Sequence, residues 1–263
     1  MSGLRDTAWF AYDGAWRRED GLVAEEAPIC LNLNGVEQIS IRATPTEQVY
    51  LALGFLWNAG LIQSMEEVLD VQKSPAGRCV DVWTKTDVEF PARLVLTTGC
   101  GRGISFEGPM RPSPELGKLT LTPEQLFNGF SLLQQAASSY HSAGGSHASG
   151  LFDGEQLIVV MEDVGRHNTI DKLTGYCLQE GCMEKDYALL ATGRLSWDMV
   201  RKGAGWGWPI LASRSSATSS AIDVANSRGV TLAGYVRRKT LRVYNRGDRL
   251  GMEAGAARKS AAS

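Results

Sequence analysis

Apolar and polar residues alternate over Ala27–Asn32 and Gln38–Arg42, on either side of an Asn34-Gly35 step, which predicts a β-hairpin. The period then changes. Val49, Leu51, Ala52, Leu53, Phe55, Leu56 and Trp57 cover most sides of a helix, so that helix is expected to be buried. Thr44-Pro45-Thr46-Glu47 stands before it with the residue types of a capping box, and Gly60 ends it. Val68–Gln72, Cys79–Thr84 and Arg93–Thr98 read as strands separated by Ser-Pro and Gly breaks. From Gly99 to Gly117 the pattern stops. Five glycines and three prolines within 19 residues predict a long loop, either functional or disordered.

The second half alternates strands with helices. Thr122-Pro123-Glu124-Gln125 is another capping box, opening a helix that runs to about Tyr140. Apolar runs at Leu157–Met161, Tyr187–Ala191, Pro209–Ala212, Val230–Val236 and Leu241–Tyr244 read as strands. His167–Gln179, Ser196–Gly203 and Ala217–Ser227 read as helices between them. Continuously apolar strands separated by helices imply a sheet covered on both faces. The expected fold is therefore α/β with a three-layer core and a smaller N-terminal α+β domain. Domain boundaries are expected at 1–120 and 121–252, with a frayed tail over 253–263.

Composition narrows the class. A chain of 263 residues with 43% hydrophobic residues can bury a sizeable core without covalent staples. Its net charge of -2 gives no global reason to expect nucleic acid or an anionic membrane. No apolar stretch approaches the roughly 18–20 residues of a membrane span, and the start lacks the apolar run of a signal peptide. Five cysteines form no even framework, a usage that fits a reducing compartment with free thiols, so the expected location is the cytoplasm. Cys30, Cys79 and Cys177 lie in strand or helix patterns where core packing is the common role, and Cys182 sits in a turn.

Cys100 is different. It stands in Thr97-Thr98-Gly99-Cys100-Gly101-Arg102-Gly103, directly after an apolar strand. Flanking glycines expose a thiol, and Arg102 favours the nucleophilic thiolate. The alternative is an inert cysteine in a flexible loop. A second cluster, Glu162-Asp163-Val164-Gly165-Arg166-His167-Asn168, follows a buried strand, where ligand sites form in open α/β sheets. Asp163, Arg166 and His167 could bind an anion or shuttle a proton; a turn that merely caps the next helix is the simpler alternative. His147 is a candidate for the same pocket. Between Arg228 and Leu250 there are seven basic residues and one acid, Asp248, with Tyr235 and Tyr244 interleaved. Such a cationic strand pair suits phosphates and a stacked base, or else a charged edge protected from aggregation. The run Ser213–Ser220 could hold a phosphate or simply cap a helix. No metal-ligand spacing stands out, so no metal site is expected.

Taken in order, these stretches resemble one family. Leu51-Ala52-Leu53-Gly54-Phe55-Leu56, the Thr-Thr-Gly-Cys-Gly loop, Gly144-Gly145-Ser146-His147, the Glu162–Asn168 segment, Asp171-Lys172, Gly193-Arg194-Leu195-Ser196 and Gly234-Tyr235-Val236-Arg237 are similar to the FdhD/NarQ formate dehydrogenase accessory sulfurtransferases. The resemblance covers roughly residues 25–250. It implies a core like the cytidine deaminase fold, a cytoplasmic homodimer and a persulfide relay. In that relay a cysteine desulfurase loads sulfur, which passes to molybdenum bis-molybdopterin guanine dinucleotide before the cofactor enters formate dehydrogenase. Cys100 matches the persulfide cysteine. Tyr235, Val236, Arg237, Arg238, Lys239 and Thr240 match the cofactor-binding stretch, for which GDP-like ligands would be partial mimics. His147, Asp163, Arg166 and His167 are expected around the same ligand. One departure stands out: many members carry CxxC in the loop, and here Gly103 occupies the second position. A non-catalytic chaperone that grips the guanine nucleotide ends is the alternative reading.

Overall fold

The computed structural model describes residues 3–88, 94–97, 103–106, 114–137 and 142–253. The chain forms two units interleaved in sequence, not separated at one point near residue 120. Unit 1 comprises Met1–Gly108, Ala137–Ala148 and Met161–Gly181; unit 2 comprises Pro109–Ala136, Ser149–Val160 and Cys182–Ser263. Of the tail over 253–263, expected to fray, residues 254–263 lie outside the described residues.

Unit 1 begins with a hairpin that the periodicity did not signal, β1 (Leu4–Tyr12) and β2 (Trp16–Ala24), paired antiparallel around Asp13-Gly14. The Asp-Gly step was the available clue. Next come β3 (Ala27–Leu33) and β4 (Val36–Ala43), joined at Asn34 and Gly35, both with positive φ as a two-residue hairpin turn requires. With β5 (Val68–Lys73) and β6 (Cys79–Thr84) they make a four-stranded sheet in the order β4-β3-β6-β5. Ala27, Ile29, Leu31 and Leu33 of β3 are buried, and Ala27, Ile29 and Ala43 pack with Leu51 of α1 (Gln48–Asn58).

The expected capping box before α1 does not form. Glu47 occupies the cap in the left-handed region and makes no side-chain capping bond. Thr44 is drawn into a tertiary network instead, its hydroxyl accepting from Val164 N at 3.1 Å. By contrast, Thr122 and Gln125 cap α2 (Pro123–Ala136) reciprocally: the Gln125 amide donates to the Thr122 hydroxyl at 3.1 Å, and Thr122 N donates to the Gln125 side chain at 2.9 Å. The difference lies in what surrounds each threonine.

A further correction concerns Cys30 and Cys79, expected as separate core residues with free thiols. They are opposed in the parallel β3–β6 pair and joined by a disulfide across 49 residues of sequence. Both are half-buried, on the face of the sheet opposite the apolar core, and among the described cysteines only Cys177 is fully buried. In the chain-entropy picture such a crosslink contributes about 4 kcal/mol.

The stretch expected to be patternless contains a short strand. β7 (Leu94–Thr97) pairs antiparallel with β8 (Gly103–Phe106), Thr97 opposite Gly103. Cys100 itself lies outside the described residues.

Unit 2 carries the expected three layers. Its sheet has the order β10-β9-β11-β12-β13-β14, with β9 (His147–Phe152), β10 (Leu157–Asp163), β11 (Ala188–Ala191), β12 (Ile210–Ser213), β13 (Thr231–Arg237) and β14 (Thr240–Asn245). Strands β11, β12 and β13 run parallel, while β9 and β14 are antiparallel to their neighbours β11 and β13. In chain order α3 (Arg166–Gln179), which belongs to unit 1, precedes α4 (Trp197–Trp206) and α5 (Ser219–Arg228). Gly129 of α2 faces Leu190 and Phe152, whereas Gly203 of α4 faces Leu189 and Leu211. Successive strand residues point to opposite faces, so Leu189 and Leu190 place α4 and α2 on opposite sides of the sheet. None of the described helices is long and apolar enough to cross a membrane.

Candidate functional site

The Glu162–Asn168 segment forms a buried, hydrogen-bonded polar cluster in unit 1. Asp163 ends β10 with no exposed surface. One carboxylate oxygen accepts from Lys172 Nζ at 2.8 Å and Thr44 N at 3.1 Å. The other accepts from Gly165 N and Asn168 Nδ2, each at 2.8 Å. Asn168 Nδ2 also reaches the Arg42 carbonyl at 2.9 Å. Lys172, equally buried, donates to the Glu162 carbonyl at 3.0 Å and to Thr44 O at 3.3 Å. Burial lifts the Asp163 carboxyl above its ordinary range, against the opposing pull of Lys172 and the N–H donors. Asp163 thus ties the start of α3 to the chain entering α1 and is accounted for without a ligand. That is the turn-holding alternative weighed from the sequence, carried further by a tertiary ion pair. Lys172 was visible only as part of a motif; its partner nine residues back could not be read from periodicity.

Arg166, His167 and His147 gather in the same unit. Arg166 and His167 are buried in the first turn of α3, and His147 is half-buried at the start of β9. Burial, with a smaller effect of the Arg166 charge, holds His147 below the usual histidine range, so at neutral pH its imidazole is uncharged. The linkage has a definite sign. A histidine whose pKa is depressed by folding adds stability above the unfolded value near 6.5 and loses it as pH falls through the folded value. Thermal melts between about pH 7.5 and 5 should therefore show a drop that is smaller in His147→Gln. An unchanged slope in that variant would contradict the assignment.

The basic segment of unit 2 sits at the carboxyl ends of parallel strands, where open α/β sheets place ligands. The loops after β11 and β12 bridge each other: Leu195 N donates to Ser216 O at 2.9 Å, and Thr218 N donates to Leu195 O at 3.1 Å. Thr218 caps α5 through Ala221 N, which settles one role within the Ser213–Ser220 run. This loop is clamped onto the β13–β14 hairpin. Tyr235 N donates to Ser215 O at 2.9 Å, Arg237 Nε to Arg214 O at 3.3 Å, and Ala217 N to the Tyr244 hydroxyl at 3.4 Å.

The register of β13 and β14 shifts between Gly234 and Arg237, and within the shift Tyr235 adopts φ 51°. A bulky residue held there is strained backbone of the kind that gathers at ligand sites. The Arg242 guanidinium lies 4.3 Å from the centre of the Tyr235 ring. Arg237, Arg238, Lys239 and Thr240 are exposed, so five of the six expected residues reach the surface at least in part. Val236 does not. It is 1% exposed and packs inward, because strand alternation turns it away from its neighbours. Arg242 and the clamping Tyr244 were legible only as members of a charged, aromatic stretch. Their stacking and hydrogen bonding come from the bulge.

The comparisons with known proteins bear on this arrangement. The model of the FdhD/NarQ family matches residues 24–251. The chain belongs to the FdhD/NarQ family. Two FdhD relatives, each named sulfur carrier protein FdhD, come from Staphylococcus haemolyticus (strain JCSC1435) and Staphylococcus aureus (strain MRSA252). Each is 29% identical over 232 residues, covering 86% of this chain and 88% of its own length. A crystal structure of a formate dehydrogenase accessory protein from Desulfotalea psychrophila aligns with a TM-score of 0.81 at 27% identity, covering 94% of this chain and 99% of that one. The FdhD/NarQ match takes in both the Asp163 cluster and the β13–β14 hairpin and starts at the end of β2.

Proposed function

We propose that this protein is a sulfur carrier that accepts sulfur from a cysteine desulfurase as a persulfide on Cys100. It passes that sulfur to molybdenum bis-molybdopterin guanine dinucleotide, its substrate, before the cofactor enters formate dehydrogenase. The observation that supports the reading best is the β13–β14 hairpin, in a chain whose relatives carry the sulfur-carrier name. Tyr235 under Arg242 offers a stacking surface, and exposed Arg237, Arg238 and Lys239 offer charge for guanylate phosphates. His147, Arg166 and His167 are assigned a part in cofactor binding, with Asp163 positioning the segment that bears two of them. A cytoplasmic homodimer is part of the proposal.

The chemistry of the first step needs one thiolate. Cys100 attacks the outer sulfur of the desulfurase persulfide, the S–S bond breaks, and the desulfurase cysteine leaves as a thiolate. With Gly103 in the second loop position, Cys100 acts without a neighbouring resolving thiol. Incubation with a desulfurase and cysteine should add about 32 Da to the Cys100 peptide, and Cys100→Ala should abolish formate dehydrogenase maturation. The second reading, a cofactor chaperone, is favoured by the same hairpin and predicts another pattern. Cys100→Ala would then retain maturation, while charge reversal at Arg237, Arg238 and Lys239 would remove it along with GDP binding. Full maturation by Cys100→Ala would sink the carrier reading.

A further inference from the structure

We propose that Cys30 and Cys79 form a reversible thiol–disulfide couple, a modification site that exchanges with low-molecular-weight thiols and stands independent of the Cys100 chemistry. Three observations point there. The pair lies on the polar face of the four-stranded sheet: Cys30 shares that face with Asn32 on its strand, and Cys79 with Asp81 and Trp83, while Ile29, Leu31, Val80 and Val82 face the core. Both cysteines are half-buried, so a small thiol reaches them without unfolding.

The second observation is that strand pairing also holds the two cysteines opposite each other. Cys30 and Cys79 belong to a run of four parallel pairs from Cys30↔Cys79 to Leu33↔Val82. Backbone hydrogen bonding therefore keeps the sulfurs opposed in the dithiol form, ready to close again. The third is the turn before β6. Ser74 Oγ accepts from Arg78 N at 3.2 Å and Cys79 N at 3.0 Å, and Cys30 N donates to Arg78 O at 2.8 Å, which fixes Cys79 beside its partner.

The exchange balances without a further reactant. A small thiolate attacks Cys30 sulfur, the protein S–S bond breaks, and Cys79 leaves as a thiolate with the electron pair. A second small thiolate attacks the mixed disulfide at the small-molecule sulfur, releasing Cys30 as a thiolate and a small-molecule disulfide. Two thiols have been oxidised, their two protons go to Cys30 and Cys79, and two electrons have entered the protein. A small-molecule disulfide drives the reverse.

The test uses the full chain in mixtures of reduced and oxidised glutathione. Native protein is alkylated at each ratio, and the peptides carrying Cys30 and Cys79 are weighed. The expected result is joint conversion of both cysteines across the series, reversible on changing the ratio. Oxidation should raise the melting temperature by roughly 5–15 °C in the natural chain and leave the Cys30→Ser/Cys79→Ser double variant unmoved. A bond that yields only once the chain is unfolded would overturn the proposal and leave a structural staple. Thiols that stay reduced in oxidised glutathione would overturn it equally, and both results come from the natural chain even should the double variant fail to fold.

Discussion

Gly54→Ala is expected to destabilise the protein by roughly 2–4 kcal/mol, against the direction that helix propensity predicts. Within a helix, alanine ordinarily gains about 0.5–1 kcal/mol over glycine. Gly54 lies in α1 where α3 crosses it at backbone distance. A Cβ there would run into the Asp171 carbonyl oxygen, and a Cβ at Gly175 into the Tyr50 carbonyl oxygen. Neither obstacle is the end of a flexible side chain, so the helices must separate. Separation would also pull on Asn58, whose amide donates to Asp171 Oδ1 at 2.7 Å and Thr174 Oγ1 at 3.3 Å. Urea unfolding of Gly54→Ala, Gly175→Ala and the double variant checks this. The two losses should fall short of adding, since either one already opens the crossing. A stability equal to or above that of the natural chain would show that the helices move apart without loss.

Lys172→Met should cost about 3–5 kcal/mol, because it leaves the Asp163 carboxylate buried with no counter-charge. Three N–H donors remain, from Thr44, Gly165 and Asn168, but none is charged. The carboxyl, already lifted by burial, rises further when Lys172 goes. A carboxyl whose folded pKa is raised supplies its stability below the unfolded value and loses it as pH rises through the folded one. The variant should therefore be least impaired in mild acid and most impaired at neutral pH and above. Adding Asp163→Asn should recover part of the loss, since a neutral amide needs no ammonium. Denaturant midpoints at pH 5 and pH 8 measure both effects; a loss independent of pH, unrelieved by the second change, would assign Lys172 a packing role instead.

Both effects turn on residues whose types are plain in the sequence and whose partners are not. Gly54 stands there as one residue of the Leu51–Leu56 stretch, and Asp163 as a candidate ligand. The crossing of α1 with α3 brings together positions more than one hundred residues apart, and no periodicity encodes such a distance. Local patterns fared better where local chemistry decides. The Asn34-Gly35 turn formed, because backbone handedness alone selects those residues, and Thr122 capped α2 as its spacing predicts. Thr44 shows the limit of that logic: the same residue types were claimed by Asp163 and Val164, which offer buried bonds that a local cap cannot match.

By itself, then, the order of residues determined the types of most elements, though not strands β1, β2, β8 and β9, together with the layered core of unit 2 and the stretches that bear reactive or charged side chains. These follow from side-chain spacing, which acts over one helical turn or one strand. Tertiary structure alone decided that residues 161–181 fold with the N-terminal unit and that Cys30 meets Cys79. It also decided that Val236 turns inward and that Tyr235 is held strained beneath Arg242. Each of these depends on which strands and helices become neighbours, a choice made by burial of whole faces and carried by no single segment.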